Sequence, residues 1–166
     1  AGTTLGHFAN VAGTLIFTNN GTVRRQVAGT TNFTSGVTFN NDGLVDLTNG
    51  TVNFGGNGGT HGGSFTATGP ANLAFTGGTH DFNPGSSVTV PCTLSITTGT
   101  VNLDTTASLT GTLSMTGGTL NLSPTVSTLA LTNLIQTNGT ANLNVAGTIG
   151  NFAFSGGTLG GSGTLS

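Results

Sequence analysis

Apolar side chains occur along this chain in pairs separated by one polar residue. Examples are Leu73 and Phe75, Val88 and Val90, Leu94 and Ile96, Val101 and Leu103, Leu113 and Met115, Leu120 and Leu122, and Leu129 and Leu131. Gly, Thr, Asn or Pro divides one pair from the next. Alternation over three to five residues marks a short strand with one buried face, and no stretch carries the i, i+3, i+4, i+7 spacing of a helix. The pattern predicts an all-β protein.

The strands belong to a repeat. One phrase returns as GTVNF at 50–54, GTHDF at 78–82, GTVNL at 99–103, GTLNL at 118–122 and GTANL at 139–143, with a weaker GTTNF at 29–33. Successive copies lie 21, 28, 21, 19 and 21 residues apart. The long interval contains GGNGGTHGG, which reads as a glycine-rich loop leaving one coil of a regular array. Three short strands and three corners in about 20 residues make one coil of a parallel β-helix, with coils stacked about 4.8 Å apart and a rod roughly 40 Å long. A coil of this kind cannot bury its own apolar row, so stability is a sum of coil-on-coil terms. We expect one β-solenoid domain over 1–166, with regular repeats in 50–166 and a less regular 1–49 that leaves room for a partial cap.

Within the phrase, apolar positions face inward and polar ones outward. Thr51, Thr79, Thr100, Thr119 and Thr140 are expected in one outward column, with Asn53, Asp81, Asn102, Asn121 and Asn142 in a second beside it. Such columns hydrogen-bond along the stack, as amide ladders do. The same face would present groups about 6.7 Å apart across the strand and about 4.8 Å apart along the rod. That is similar to the Thr-x-Thr faces of ice-binding β-solenoids, although the second column here is Asn and Asp81 adds a charge.

Charge is almost absent: two Arg and four Asp, 4% of 166 residues, without Lys or Glu. No basic patch exists to neutralise phosphates or anionic lipid, so neither nucleic acid nor a membrane surface is expected as a partner. No apolar run reaches the ~20 residues of a membrane span. A net charge of −2 gives little self-repulsion, which favours association. Arg24 and Arg25 lie one coil before Asp42 and Asp46, and inter-coil ion pairs account for all four. Asp42 and Asp46 are also the one sequence-local carboxyl pair, but no Glu, Tyr or Trp accompanies them, and a glycosidase site is not expected.

His61 and His80, 19 residues apart, could stack beside Asp81, but His80 falls on an inward position, and no metal site is assigned. His7 has no neighbour in the pattern. The glycine-rich stretch lacks the Asp that calcium loops need. Cys92 is the single cysteine and reads as a small buried apolar residue. No nucleophile elbow, phosphate loop or dinucleotide fingerprint is present; neither a cofactor nor an enzyme activity is expected. The sequence opens at Ala1 without a charged-then-apolar leader and stops at Ser166 in mid-pattern, as expected of a mature or excised segment of something longer.

The run FSGGTLGGSGTLS at 154–166, with TGGTLNL at 116–122 and FTGGTHDF at 75–82, resembles the repeats of bacterial autotransporter-type passengers and of filamentous-haemagglutinin-like surface proteins. The resemblance covers most of the chain from about residue 50 onward. It implies a secreted or cell-surface β-helix serving as a stalk, adhesin or fibre component, and carries over no catalytic residue. The expectation is a structural protein of an extracellular filament or surface layer that associates with itself, head to tail or laterally. The alternative is a module that binds ice or carbohydrate.

Overall fold

Four-residue strands with alternate side chains turned inward form wherever the apolar pairs predict them, and each strand pairs in parallel with the strand one coil away. The computed structural model describes Gly13 and residues 15–166. In chain order, the first described coil holds β1 (Leu15–Asn19), β2 (Thr22–Arg25) and β3 (Thr30–Phe33). The second holds β4 (Val37–Asn41), β5 (Leu44–Leu47) and β6 (Gly50–Phe54), and the third begins with β7 (Gly58–His61) and β8 (Ser64–Ala67). From there several strands run through a corner: β9 (Ala71–Phe82), then β10 (Ser87–Val90), β11 (Thr93–Leu103), β12 (Thr106–Leu109), β13 (Thr112–Met115) and β14 (Thr119–Leu122). The rod finishes with β15 (Thr128–Gln136), β16 (Thr140–Leu143), β17 (Thr148–Phe154) and β18 (Thr158–Gly160). No helix occurs among the described residues.

The pairings sort these strands into three faces. The first face stacks β1, β4, β7, the end of β9, the end of β11, β14, β16 and β18. The second stacks β2, β5, β8, β10, β12 and the start of β15. The third stacks β3, β6, the start of β9, the start of β11, β13, the rest of β15 and the end of β17. The fold is therefore the expected parallel β-solenoid, with about 21 residues per turn and about seven turns. The expected partial cap falls partly on residues outside the described ones; from Leu15 onward the chain is in register with the next coil.

The glycine-rich stretch does not leave the array. Gly58–His61 is β7, a rung of the first face that pairs with β4 on one side and β9 on the other. The reason lies in the unit of repetition. One strand with its corner is a third of a coil, so the 28-residue interval is one coil plus one unit, and the phrase moves from the third face to the first. Its glycine is the corner residue. Gly99 and Gly118 have φ of +79° and +67°, a left-handed turn that side chains disfavour, and a Cβ on Gly118 would lie 2.7 Å from the carbonyl oxygen of Gly99 in the coil below.

The interior changes along the axis. Phe33, Phe39, Phe54, Phe65, Phe75 and Phe82 fill the first coils, with Phe33 and Phe54 stacked at 5.3 Å and Phe39 tilted against Phe54 at 4.8 Å. Beyond Phe82 the buried apolar side chains include Ile96, Val101, Leu103, Leu113, Met115, Leu120, Leu122 and Leu134, with no further buried phenylalanine among the described residues.

Candidate functional site

Alternation along the end of β9 and of β11, and along β14 and β16, places Thr79, Thr100, Thr119 and Thr140 one above another on the first face, followed by Thr158 of β18. Asp81, Asn102, Asn121 and Asn142 form the neighbouring column, followed by Gly160. Asn102 Nδ2 donates to Asp81 Oδ1 at 2.6 Å, Asn121 Nδ2 to Asn102 Oδ1 at 2.6 Å, and Asn142 Nδ2 to Asn121 Oδ1 at 2.7 Å. A carboxylate only accepts, so Asp81 fixes the direction of the ladder: Asn102 must turn its amide nitrogen toward it, and each Asn above follows in the same sense.

Thr51 and Asn53 do not join these columns. They sit on the third face in β6, in register with Thr30 and Asn32 of β3, and Asn53 Nδ2 donates to Asn32 Oδ1 at 2.8 Å. The one-third-coil displacement of the phrase separates them. In their place on the first face stand Thr38 and Asn40 of β4 and Gly58 and Thr60 of β7.

The charged cluster also divides. Arg24 Nε donates to Asp46 Oδ2 at 2.8 Å across the second face. Arg25, the next residue on the same strand, must point the opposite way, and it is buried. Its Nη1 donates to Thr31 Oγ1 at 3.0 Å and its Nη2 to the Ala28 carbonyl at 2.8 Å, while its Nε has no partner. Asp42 lies exposed in the corner after β4 and forms no ion pair among the described residues. The predicted inter-coil pairing is thus realised by Arg24 and Asp46, whereas Arg25 is an interior corner clamp and Asp42 is solvated. Asp46 is held by Arg24.

The interior contains polar groups that sequence reasoning did not single out. Asn19 Nδ2 donates to Asn41 Oδ1 at 2.6 Å, and Asn41 Nδ2 bridges the carbonyls of Gly43 and Ser64, both at 3.2 Å. His61 continues this inward column on β7, where Leu103, Leu122 and Leu143 stand further up. Its Nε2 lies 3.1 Å from Nδ1 of His80 in the next coil. Asp81 projects from the other side of the strand, and no group of three metal-ligating side chains occurs among the described residues. His7 lies outside the described residues. Cys92 lies half-buried at a corner beside Pro70 and Pro91, its thiol donating to the Ala67 carbonyl at 3.2 Å, and burial pushes its pKa up, which disfavours the thiolate.

At the other extreme of the rod, Phe152 and Phe154 are 53% and 47% exposed, next to a shallow groove completed by Gly157, Thr158 and Leu159. Comparison of the chain with family models, curated proteins and solved structures returns no match.

Proposed function

We propose that this chain is the rod-forming part of an extracellular filament, surface layer or adhesin stalk, and that its main activity is association with copies of itself. The nearly uncharged surface, two Arg and four Asp in 166 residues, carries this reading, and the exposed pair Phe152 and Phe154 fits it. Phe152 occupies the column that holds buried Leu94, Leu113 and Leu134 below it, and Phe154 the column of Ile96, Met115 and Gln136. Both positions are buried in each of those earlier coils, and a further coil laid on β17 would cover them in the same way. A surface almost without charge offers little repulsion against such stacking. The resemblance to autotransporter-type and filamentous-haemagglutinin-like repeats belongs to this proposal, as do the cell-surface location and the absence of catalysis.

Sedimentation velocity over a concentration series, with electron microscopy of concentrated material, tests it. Concentration-dependent growth into uniform fibres is expected, and F152D/F154D is expected to remain monomeric with an unchanged β-sheet circular dichroism spectrum. Monodisperse wild-type protein at the highest concentrations would remove the proposal.

Binding through the first face is the second reading. It is favoured by the unbroken register of Thr79, Thr100, Thr119, Thr140 and Thr158. Thermal hysteresis and shaped ice crystals would support ice as the ligand, and a glycan array would do the same for carbohydrate. Unaltered ice growth together with an empty array would dismiss it.

A further inference from the structure

Neither the exposed ladder nor the apolar end uses His61 and His80, yet the pair is enclosed as completely as the apolar core around it. Their relative exposures are 0% and 1%. The two rings are near-parallel, at 11° with centroids 5.3 Å apart. With Nε2 and Nδ1 at 3.1 Å, that separation fits rings lying end to end and sharing one proton. Around them stand Phe82, 4.5 Å from His61, Phe65, 5.0 Å from His61, and Phe75, 4.8 Å from His80, with Phe39 and Phe54 closing the box. Gly59, the inward neighbour of His80 in the coil below, supplies no side chain and so leaves the ring its space.

Two nitrogens of the pair, His61 Nδ1 and His80 Nε2, have no hydrogen-bond partner. The carbonyls of Gly77 and Phe54 approach His80 without reaching hydrogen-bond geometry. Whichever ring donates across the contact, its other nitrogen is left basic and without a partner.

We propose that the His61–His80 pair is an acid-operated break point, where proton uptake parts the third coil from the fourth and loosens the aromatic N-terminal coils while the aliphatic coils stay wound. A cation formed here has no carboxylate to meet. Asp81 on β9 turns outward and accepts from Asn102, Asp46 on the outer side of β5 is held by Arg24, and Asp42 lies exposed in the corner after β4. Strands β6, β8 and the packed part of β11 present no ionisable side chain to the pair, and the one buried cation, Arg25 on β2, is engaged by Thr31 and Ala28. Coil-on-coil stability is a sum of neighbour terms, so weakening one interface opens the rod locally.

Burial, with the neighbouring His80 acting in the same sense, lowers the pKa of His61 to about 3. Burial lowers His80 to about 4, against the raising influence of the Gly77 and Phe54 carbonyls and of Asp81. Both values lie below the 6.5 of a solvated histidine, so the opened state binds more protons. The stability of this interface is full above about pH 6.5 and falls as the pH drops toward the folded-state values.

Hydrogen exchange followed by mass spectrometry, corrected for intrinsic amide rates, tests the proposal. Between about pH 7.5 and about pH 5, opening of residues 15–82 is expected to rise on the order of 10²- to 10³-fold, with residues 100–143 nearly unchanged. H61L/H80V substitutes side chains found higher in the same two columns, and is expected to abolish the acid response. Uniform acid sensitivity of the two blocks in the wild-type protein would overturn the inference without recourse to any variant. So would an unchanged response in H61L/H80V.

Discussion

The first coils and the last coils share one backbone path but solve the interior differently. From Asn19 to Phe82 the core is rich in phenylalanine, with Asn19, Arg25, Asn41, His61 and His80 among the buried residues, whereas from Ser86 to Leu143 it is aliphatic except for the Thr105-to-Ser86 corner contact and Gln136. The outer surfaces reverse the contrast. The aliphatic coils carry the continuous Asp81-to-Asn142 ladder, while the aromatic coils carry short two-coil contacts such as Asn32 with Asn53 and Asn40 with Thr60. A solenoid thus tolerates polar groups inside where adjacent coils satisfy them, as the Asn19 and Asn41 amides show, and it aligns polar groups outside where the phrase stays on one face.

The contrast can be broken most strongly in the aliphatic half. Leu120 is fully buried between Val101 and Ala141 in its column, and Leu120→Ala is expected to cost about 2–5 kcal/mol through lost burial and a residual cavity. Segmental hydrogen exchange should place the loss in residues 100–143; an effect spread evenly over the rod would contradict neighbour-only stacking. In the aromatic half, Asn41→Leu places between Asn19 and His61 the side chain that the same column carries at Leu103, Leu122 and Leu143. It removes the bonds of Asn41 to Asn19 and to the Gly43 and Ser64 carbonyls, while the Gly43 carbonyl keeps the Ser64 N–H and the Asn19 amide keeps the Leu44 carbonyl, and a loss of about 1–2 kcal/mol is expected. A higher melting temperature for this variant would show that the buried amides are dispensable.

Outside, Asp81→Asn keeps an acceptor beneath Asn102 but removes the charge, and a loss below about 1 kcal/mol is expected. The informative readout is the Asn102 side-chain amide resonance, which should shift; an unmoved resonance would deny Asp81 its directing role. Arg24→Ala should change stability least, by about 0–1 kcal/mol, since the Arg24 side chain is 52% exposed. A larger, salt-dependent effect in a denaturant titration would mean that this pair holds the first two coils together.

Much of this was readable in advance because a solenoid repeats its instructions. The paired apolar residues from Leu73 to Leu143 and the recurring phrase define strands, coils and inward positions, and alternation alone put His80 inside. The same alternation in TVRR implied that Arg24 and Arg25 point to opposite sides, but proximity in sequence to two aspartates suggested a common role. The 28-residue interval reads as a loop only when distance is counted in whole coils; counted in strands, it is one coil plus one unit. Nor could a tract like Gly58–His61 announce itself as a strand: with no apolar side chains to alternate, its β character comes from backbone partners on both sides, β4 and β9, which only the stacked structure supplies. The 19-residue spacing of His61 and His80 allows a stacked pair, and the structure brings their ring nitrogens to 3.1 Å.

A phrase that can step from one face to another has a consequence for how such a protein varies. Duplicating or excising a full turn changes the length of the molecule and leaves every column continuous across the splice. Gain or loss of a single strand and corner instead rotates all downstream columns a third of the way around the axis. The shift between Phe54 and Gly78 has that form, and it is the reason one polar seam stops and another starts beside it. Length in this architecture is free to drift, while angular phase is inherited.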